Sequence, residues 1–95
     1  MSFEWDAGKA ERNFVKHQID FEDAIRVFEG DHFSYRSDRF DEERHVAIGM
    51  AGGSMLAVVW TPRSRDVRRI ISARRARDGE KRQYRESFGL SLIHI

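Results

Sequence analysis

At 95 residues the chain has room for one hydrophobic core and no second domain. Apolar residues make up 40% and charged residues 35%, a folded but heavily solvated composition, and no run approaches the roughly 20 apolar residues of a membrane helix. The absence of cysteine excludes a disulfide framework and a thiolate metal site, and it suits a cytoplasmic protein. The acidic opening, Met1 to Asp6, lacks the apolar centre of a signal peptide. A net charge of +1 conceals an acidic first half and a basic second half, with arginines crowded between Arg63 and Arg85. Arginine meets phosphate with a planar fork, so a basic half of this kind points to a polyanion or an acidic protein partner. The competing reading is a solvated surface that pairs with the acidic half.

Phe3-Glu4-Trp5 alternates as a short strand, and Asp6 starts a helix. Ala7, Ala10, Phe14 and His17 mark one face of that helix; Lys9, Asn13 and Lys16 fall on another, with Arg12 beside them. Asp20 caps a second helix, in which Phe21, Ala24, Ile25 and Phe28 recur at helical spacing until Gly30 stops it. Phe33 to Ser37 alternates as a strand, and Asp38 to Glu43 is a charged loop. His45–Met50 and Met55–Thr61 are apolar strands joined by a hairpin turn at 51–54, where glycine supplies positive φ. Pro62 to Asp66 is a second turn, and Val67 to Arg74 is the last strand. A polar helix runs from Asp78 to about Phe88, where Gly89 ends it. The expected fold is a single α+β domain of order β-α-α-β-β-β-β-α, an antiparallel sheet with its helices on one face. The domain covers residues 1–88; residues 89–95 form an apolar tail, either a segment that docks on a sheet edge or a non-native extension.

The N-terminal blocks carry a family resemblance. Phe3-Glu4-Trp5-Asp6, then Lys9, Asn13, Lys16-His17, Ile19 and Phe21-Glu22-Asp23-Ala24 follow the pattern F-x-W-D, K-x-x-x-N-x-x-K-H, an aliphatic residue and F-E-E-A. Arg44 with Ile48-Gly49, Val58-Val59-Trp60-Thr61, the block from Arg69 to Ala76, and Glu80-Lys81-Arg82-Gln83-Tyr84 continue it in order. The chain resembles the BrnT toxins of type II toxin–antitoxin systems over residues 3–86; the segment Asp31 to Glu43 matches poorly. The resemblance implies a fold similar to RelE-type toxins and metal-independent endoribonuclease activity that inhibits translation. It also implies neutralisation by a BrnA-type antitoxin in a hetero-oligomer, with operator DNA reached only through that antitoxin.

Metal-free RNA cleavage requires removal of the 2′-OH proton, stabilisation of the phosphorane and protonation of the leaving 5′-oxygen. His17 in the matched motif is the acid–base candidate; its place on the Ala7-Ala10-Phe14 stripe equally suits a packing residue or a helix cap. His32 and His45 are weaker candidates. Arg74 and Arg75 are the catalytic cation candidates, and Arg69 is a further phosphate contact. Strand alternation sets Arg69 and Arg75 on one face and Arg74 on the other, unless the strand bulges. Lys9 and Lys16 are placed to track the RNA backbone, and Tyr84 or Trp60 to stack on bases, although Trp60 on an apolar strand also reads as core. No metal-ligand spacing occurs, and no cofactor is expected. The alternative function is a non-catalytic basic module, or a co-repressor acting with its antitoxin.

Overall fold

The computed structural model describes residues 1–89; Leu90 to Ile95, which make up most of the apolar tail, lie outside the described residues. Strand β1 (Ser2–Glu4) leads to α1 (Ala7–His17) and α2 (Phe21–Ala24), which continues as a 3₁₀ segment (Ile25–Glu29). Strands β2 (His32–Arg36), β3 (His45–Ala51), β4 (Ser54–Ser64) and β5 (Val67–Arg75) precede α3 (Asp78–Phe88). The element order is the one expected from the sequence.

The five strands lie in the order β1-β5-β4-β3-β2. Strands β2 to β5 form an antiparallel meander, with Gly52 in the β3–β4 turn at φ 62°. The β1 strand joins β5 in parallel, from Ser2↔Val67 to Glu4↔Arg69. The helices carry the chain from β1 to the far edge of the sheet, so no hairpin dictates its direction. The second turn is shorter than the sequence suggests. Strand β4 runs on through Pro62 to Ser64, with a register irregularity that accommodates the missing proline N–H.

Both faces of the sheet are covered, which corrects the expectation that all helices share one. Ala47, Leu56, Val58, Ile70 and Ala73 pack beneath Ile19, Phe21, Ala24 and Val27 of the α1–α2 region. Their strand neighbours Val46, Ile48 and Ala57 face the other way and pack with Ala76 and Tyr84. Helix α3 therefore covers one end of the opposite face. The physical reason is alternation: β3 and β4 are apolar on both faces, and each apolar face requires a cover.

The apolar stripe of α1 faces inward only in part: Ala10 packs against the core and His17 is half-buried, but Ala7 and Phe14 are exposed. Asn13 is 7% exposed, whereas Phe14 and Val15 are 42% and 72% exposed. Helix α1 lies along the edge of β5 rather than flat on the sheet. Because β1 pairs with only Val67 to Arg69, the rest of that edge is open to the helix. The Asp6 carboxylate caps α1 by accepting from the Lys9 N–H at 2.9 Å.

Candidate functional site

Strand β5 carries one extra residue. Ser72 pairs with Val59 and Ile70 with Trp60, which leaves Ile71 as a bulge. Pairing across the sheet then aligns side chains on the face opposite α1 and α2. One row is Tyr35, Val46, Val59 and Ser72; the next is Phe33, Ile48, Ala57 and Arg74. The bulge also returns Arg69 to the face that carries Ser72 and Arg74, as its pairing with Thr61 requires.

Where α3 does not cover this face, a cleft of about 310 Å³ opens. It is lined by Tyr35, Ser37, Arg39, Arg44, Val46, Val59, Ser72, Arg74 and Arg77. Ser72, Arg74 and Arg77 also line an adjoining hollow of about 410 Å³, whose other wall is Lys9, Arg12, Asn13, Lys16 and His17 of α1. The two form a single cationic groove from α1 across β5 to the β2–β3 loop. Lys9 and Lys16 are exposed along it. This is the α1 face that the apolar pattern left to solvent.

Asn13 fixes the α1 wall. Its Nδ2 donates to the carbonyls of Ala73 (3.0 Å) and Ile19 (3.2 Å), and its Oδ1 accepts from the Ala73 N–H at 3.1 Å. The carboxamide thus substitutes for a neighbouring strand on β5. Three residues further on, Lys16 and His17 are held beside Arg74. Partial burial, then the charges of Lys16, Arg74 and Arg75, lower the His17 pKa below its usual 6.5. His17 is therefore a neutral imidazole at neutral pH, the form that accepts a proton.

Glu80 ties the cleft together. Its carboxylate accepts from Arg74 Nη1 (2.8 Å) and Nη2 (2.9 Å), from the Tyr35 hydroxyl (2.5 Å) and from the Arg77 backbone N–H (2.8 Å). Partial burial pushes the Glu80 carboxyl up, but the bonds from Arg74, Arg77 and Tyr35 outweigh it and hold it at about 2. Arg74 Nη1 also donates to the Arg75 carbonyl at 3.3 Å. The Tyr35 hydroxyl is a further hydrogen-bonding neighbour of the Arg74 guanidinium. Arg74 nonetheless lines both hollows, and a guanidinium is the planar fork that matches phosphate oxygens. Burial, then the Glu80 hydrogen bond and charge, raise the Tyr35 pKa, so its phenol stays protonated.

Several sequence candidates lie elsewhere. Arg75 points to the opposite face from Arg74, where its Nη1 donates to the His17 carbonyl at 3.3 Å, and it lines a separate hollow with Gln18, Arg26 and Ser54. Arg69 shares the face of Arg74 but donates to Glu4 at 2.7 Å and is not part of the groove wall. Tyr84 is 6% exposed, packs against Phe88 and donates to the Asp31 carbonyl at 3.3 Å; its ring is core, not a stacking platform. Trp60 is sandwiched by His45 and Arg68 on the α1–α2 face, with Phe28 edge-on to it. His32 and His45 accompany it there, away from Arg74. Tyr35, Arg77 and Glu80 are missed by sequence reasoning. The available signals were the alternation of Phe33 and Tyr35, and the position of Glu80 in the first turn of α3. Among the described residues no group of three His, Asp or Glu side chains is placed to hold a metal ion, and no helix is long and apolar enough to cross a membrane.

Fold and groove together define a small α+β protein with a cationic cleft. The family profile described as "Ribonuclease toxin, BrnT, of type II toxin-antitoxin system" matches residues 5–80. The crystal structure of the Brucella abortus ribonuclease toxin BrnT, solved at 1.1 Å, superposes with a TM-score of 0.64 at 29% identity, covering 82% of this chain and 99% of that one. No curated protein sequence matches the chain. The chain belongs to the BrnT family of ribonuclease toxins of type II toxin–antitoxin systems.

Proposed function

We propose that this chain is a metal-independent endoribonuclease that slows translation and is neutralised by a BrnA-type antitoxin. It acts in the cytoplasm and reaches operator DNA only through that antitoxin. The observation that carries the reading is the continuous groove in which His17, Lys16 and Lys9 on α1 face Arg74, Arg77, Arg44 and Arg39. In this reading the neutral His17 imidazole takes the proton of a ribose 2′-OH, and the 2′-oxygen bonds to phosphorus. The Arg74 guanidinium stabilises the charge on the phosphorane. The bond from phosphorus to the 5′-oxygen breaks, the departing oxygen takes a proton from solvent, and a 2′,3′-cyclic phosphate and a 5′-hydroxyl result. Lys9 and Lys16 carry the flanking backbone.

One observation favours a second reading, that of a binding module or co-repressor: among the described residues that line the groove, His17 is the one imidazole and no carboxyl group stands beside it. Purified protein incubated with RNA in excess EDTA decides between the two. Fragments ending in cyclic phosphate, absent with Arg74→Ala and suppressed by the antitoxin, support the ribonuclease. Salt-sensitive binding without fragments supports the binding module.

A further inference from the structure

The charged segment between β2 and β3 is not an open loop. Arg39 and Glu42 form an antiparallel bridge, with Arg39 N–H donating to the Glu42 carbonyl (3.0 Å) and Glu42 N–H to the Arg39 carbonyl (2.9 Å). Only Phe40 and Asp41 lie between them, at φ 52° and 61°. A two-residue turn with positive φ at both central positions ordinarily takes Asn-Gly or Asp-Gly. Phenylalanine is among the residues least suited to that backbone. Its side chain recovers nothing by burial, since Phe40 is 85% exposed. A large apolar ring held out on a strained backbone at the tip of a hairpin is costly in the isolated protein.

The ring stands beside the cationic wall of the cleft. Arg39, the residue before it, lies 5.5 Å from the ring centroid and also lines the cleft that contains Arg74. Arg44 closes the same hairpin and lines the same wall. Tyr84 and Trp60, the aromatics that sequence reasoning offered as stacking platforms, are both engaged elsewhere. A single-stranded substrate lying in the groove presents unstacked bases at its rim, and an exposed aromatic face beside an arginine is a sequence-tolerant platform for one. We propose that Phe40 is a base-stacking subsite: it takes one unpaired nucleobase flanking the phosphate held at Arg74, while Arg39 takes the adjoining backbone phosphate. This inference rests on the ribonuclease reading above and adds to it the class of substrate, a single strand with splayed bases.

The test uses the full chain and a short single-stranded 2′-O-methyl RNA, which has no free 2′-OH, together with a matching strand that has one abasic position. Phe40→Ala is expected to weaken binding of the intact strand about 5- to 30-fold. It should leave kcat on cleavable RNA near that of the wild type and raise KM. Moved along the strand, the abasic gap should find one position where it costs the wild type as much as Phe40→Ala does, and costs that variant nothing further. Phe40→Trp should retain affinity. Phe40→Asn should raise Tm by about 2–5 °C, because asparagine accepts the positive φ, while losing affinity as alanine does. Opposite signs for stability and affinity distinguish a functional ring from a structural one. Unchanged affinity in Phe40→Ala, or an equal loss at every abasic position, overturns the subsite. So does a loss confined to antitoxin binding, which would make Phe40 a protein contact. A wild type that binds the strand in this way but cuts no RNA refutes the ribonuclease reading and leaves the subsite standing; one that binds no strand removes both.

Discussion

The side chain of Asn13 pairs with the backbone of Ala73 as a strand would, with its amide nitrogen 3.0 Å from the carbonyl and its oxygen 3.1 Å from the N–H. Helix α1 thereby closes the open edge of β5 and brings His17 to Arg74. Asn13→Ala leaves three backbone groups short of a partner and should cost about 2–3 kcal/mol in urea unfolding. Asn13→Asp should cost more, because a carboxylate cannot donate and would face the Ala73 and Ile19 carbonyls. If Asn13→Asp equals wild type, the edge-closing role is wrong.

Arg74 and Arg75 are adjacent in sequence and opposite in the fold. Cleavage by Arg74→Ala should fall by about two to three orders of magnitude, the usual loss for one donor to a phosphorane-like charge. Arg75→Ala should stay within about threefold of wild type, since strand alternation turns its side chain away from the groove. The check is a side-by-side rate measurement on one RNA. Equal losses would mean that the substrate wraps around the β5 edge.

The environment of His17 sets the pH profile. Its pKa is lowered, so the neutral, proton-accepting form persists below pH 6.5. The acid limb of kcat/KM should therefore lie on the acid side of 6.5, and it should vanish in His17→Ala. A limb above 6.5, or one unchanged by the substitution, would remove His17 from the chemistry.

Tyr84 belongs to the core. Tyr84→Ala should destabilise the fold by about 3–5 kcal/mol, and Tyr84→Phe by less than about 1.5 kcal/mol. RNA affinity measured where each variant is folded should match wild type. An affinity loss in Tyr84→Phe would restore the ring edge to the binding surface.

Glu80 links stability to pH in a definable window. Its carboxyl is held at about 2 in the fold against an ordinary 4.5. A depressed carboxylate contributes stability that is present above pH 4.5 and lost as pH falls toward 2. Wild type should lose about 1–2 kcal/mol across that window by this route, once solvent screening is allowed for. Glu80→Gln should lack that component in urea midpoints compared at pH 6 and pH 3.

The element order is legible in the sequence because the period changes cleanly, from helical spacing up to Phe28 to alternation in β3 and β4. The two-sided cover is less so. Val46, Ala47 and Ile48 read as one apolar run, which fits any strand buried on both faces. The faces of β5 required the Ile71 bulge, and no residue type announces a bulge at an isoleucine. Asn13 looked like a surface residue because two of its three partners are backbone groups of Ala73, 60 positions away. Of the proposed site, Lys9, Lys16, His17 and Arg74 were visible as charges in matching motifs. Tyr35 and Arg77 were not, and Glu80 stood in the terminal-helix block with no role to mark it, since what assembles them is the cross-strand row and the first turn of α3. Phe40 sits in the stretch where the family pattern matches poorly.

Glu80 serves two structures with one carboxylate, capping the first turn of α3 through the Arg77 N–H and holding Arg74 and Tyr35 over the cleft. Winding that turn and arming the cleft are thus one event. An inhibitor need not fill the groove to silence it. Any partner that unwinds α3 by a single turn would cut Arg74 loose, and would do so without entering the cleft.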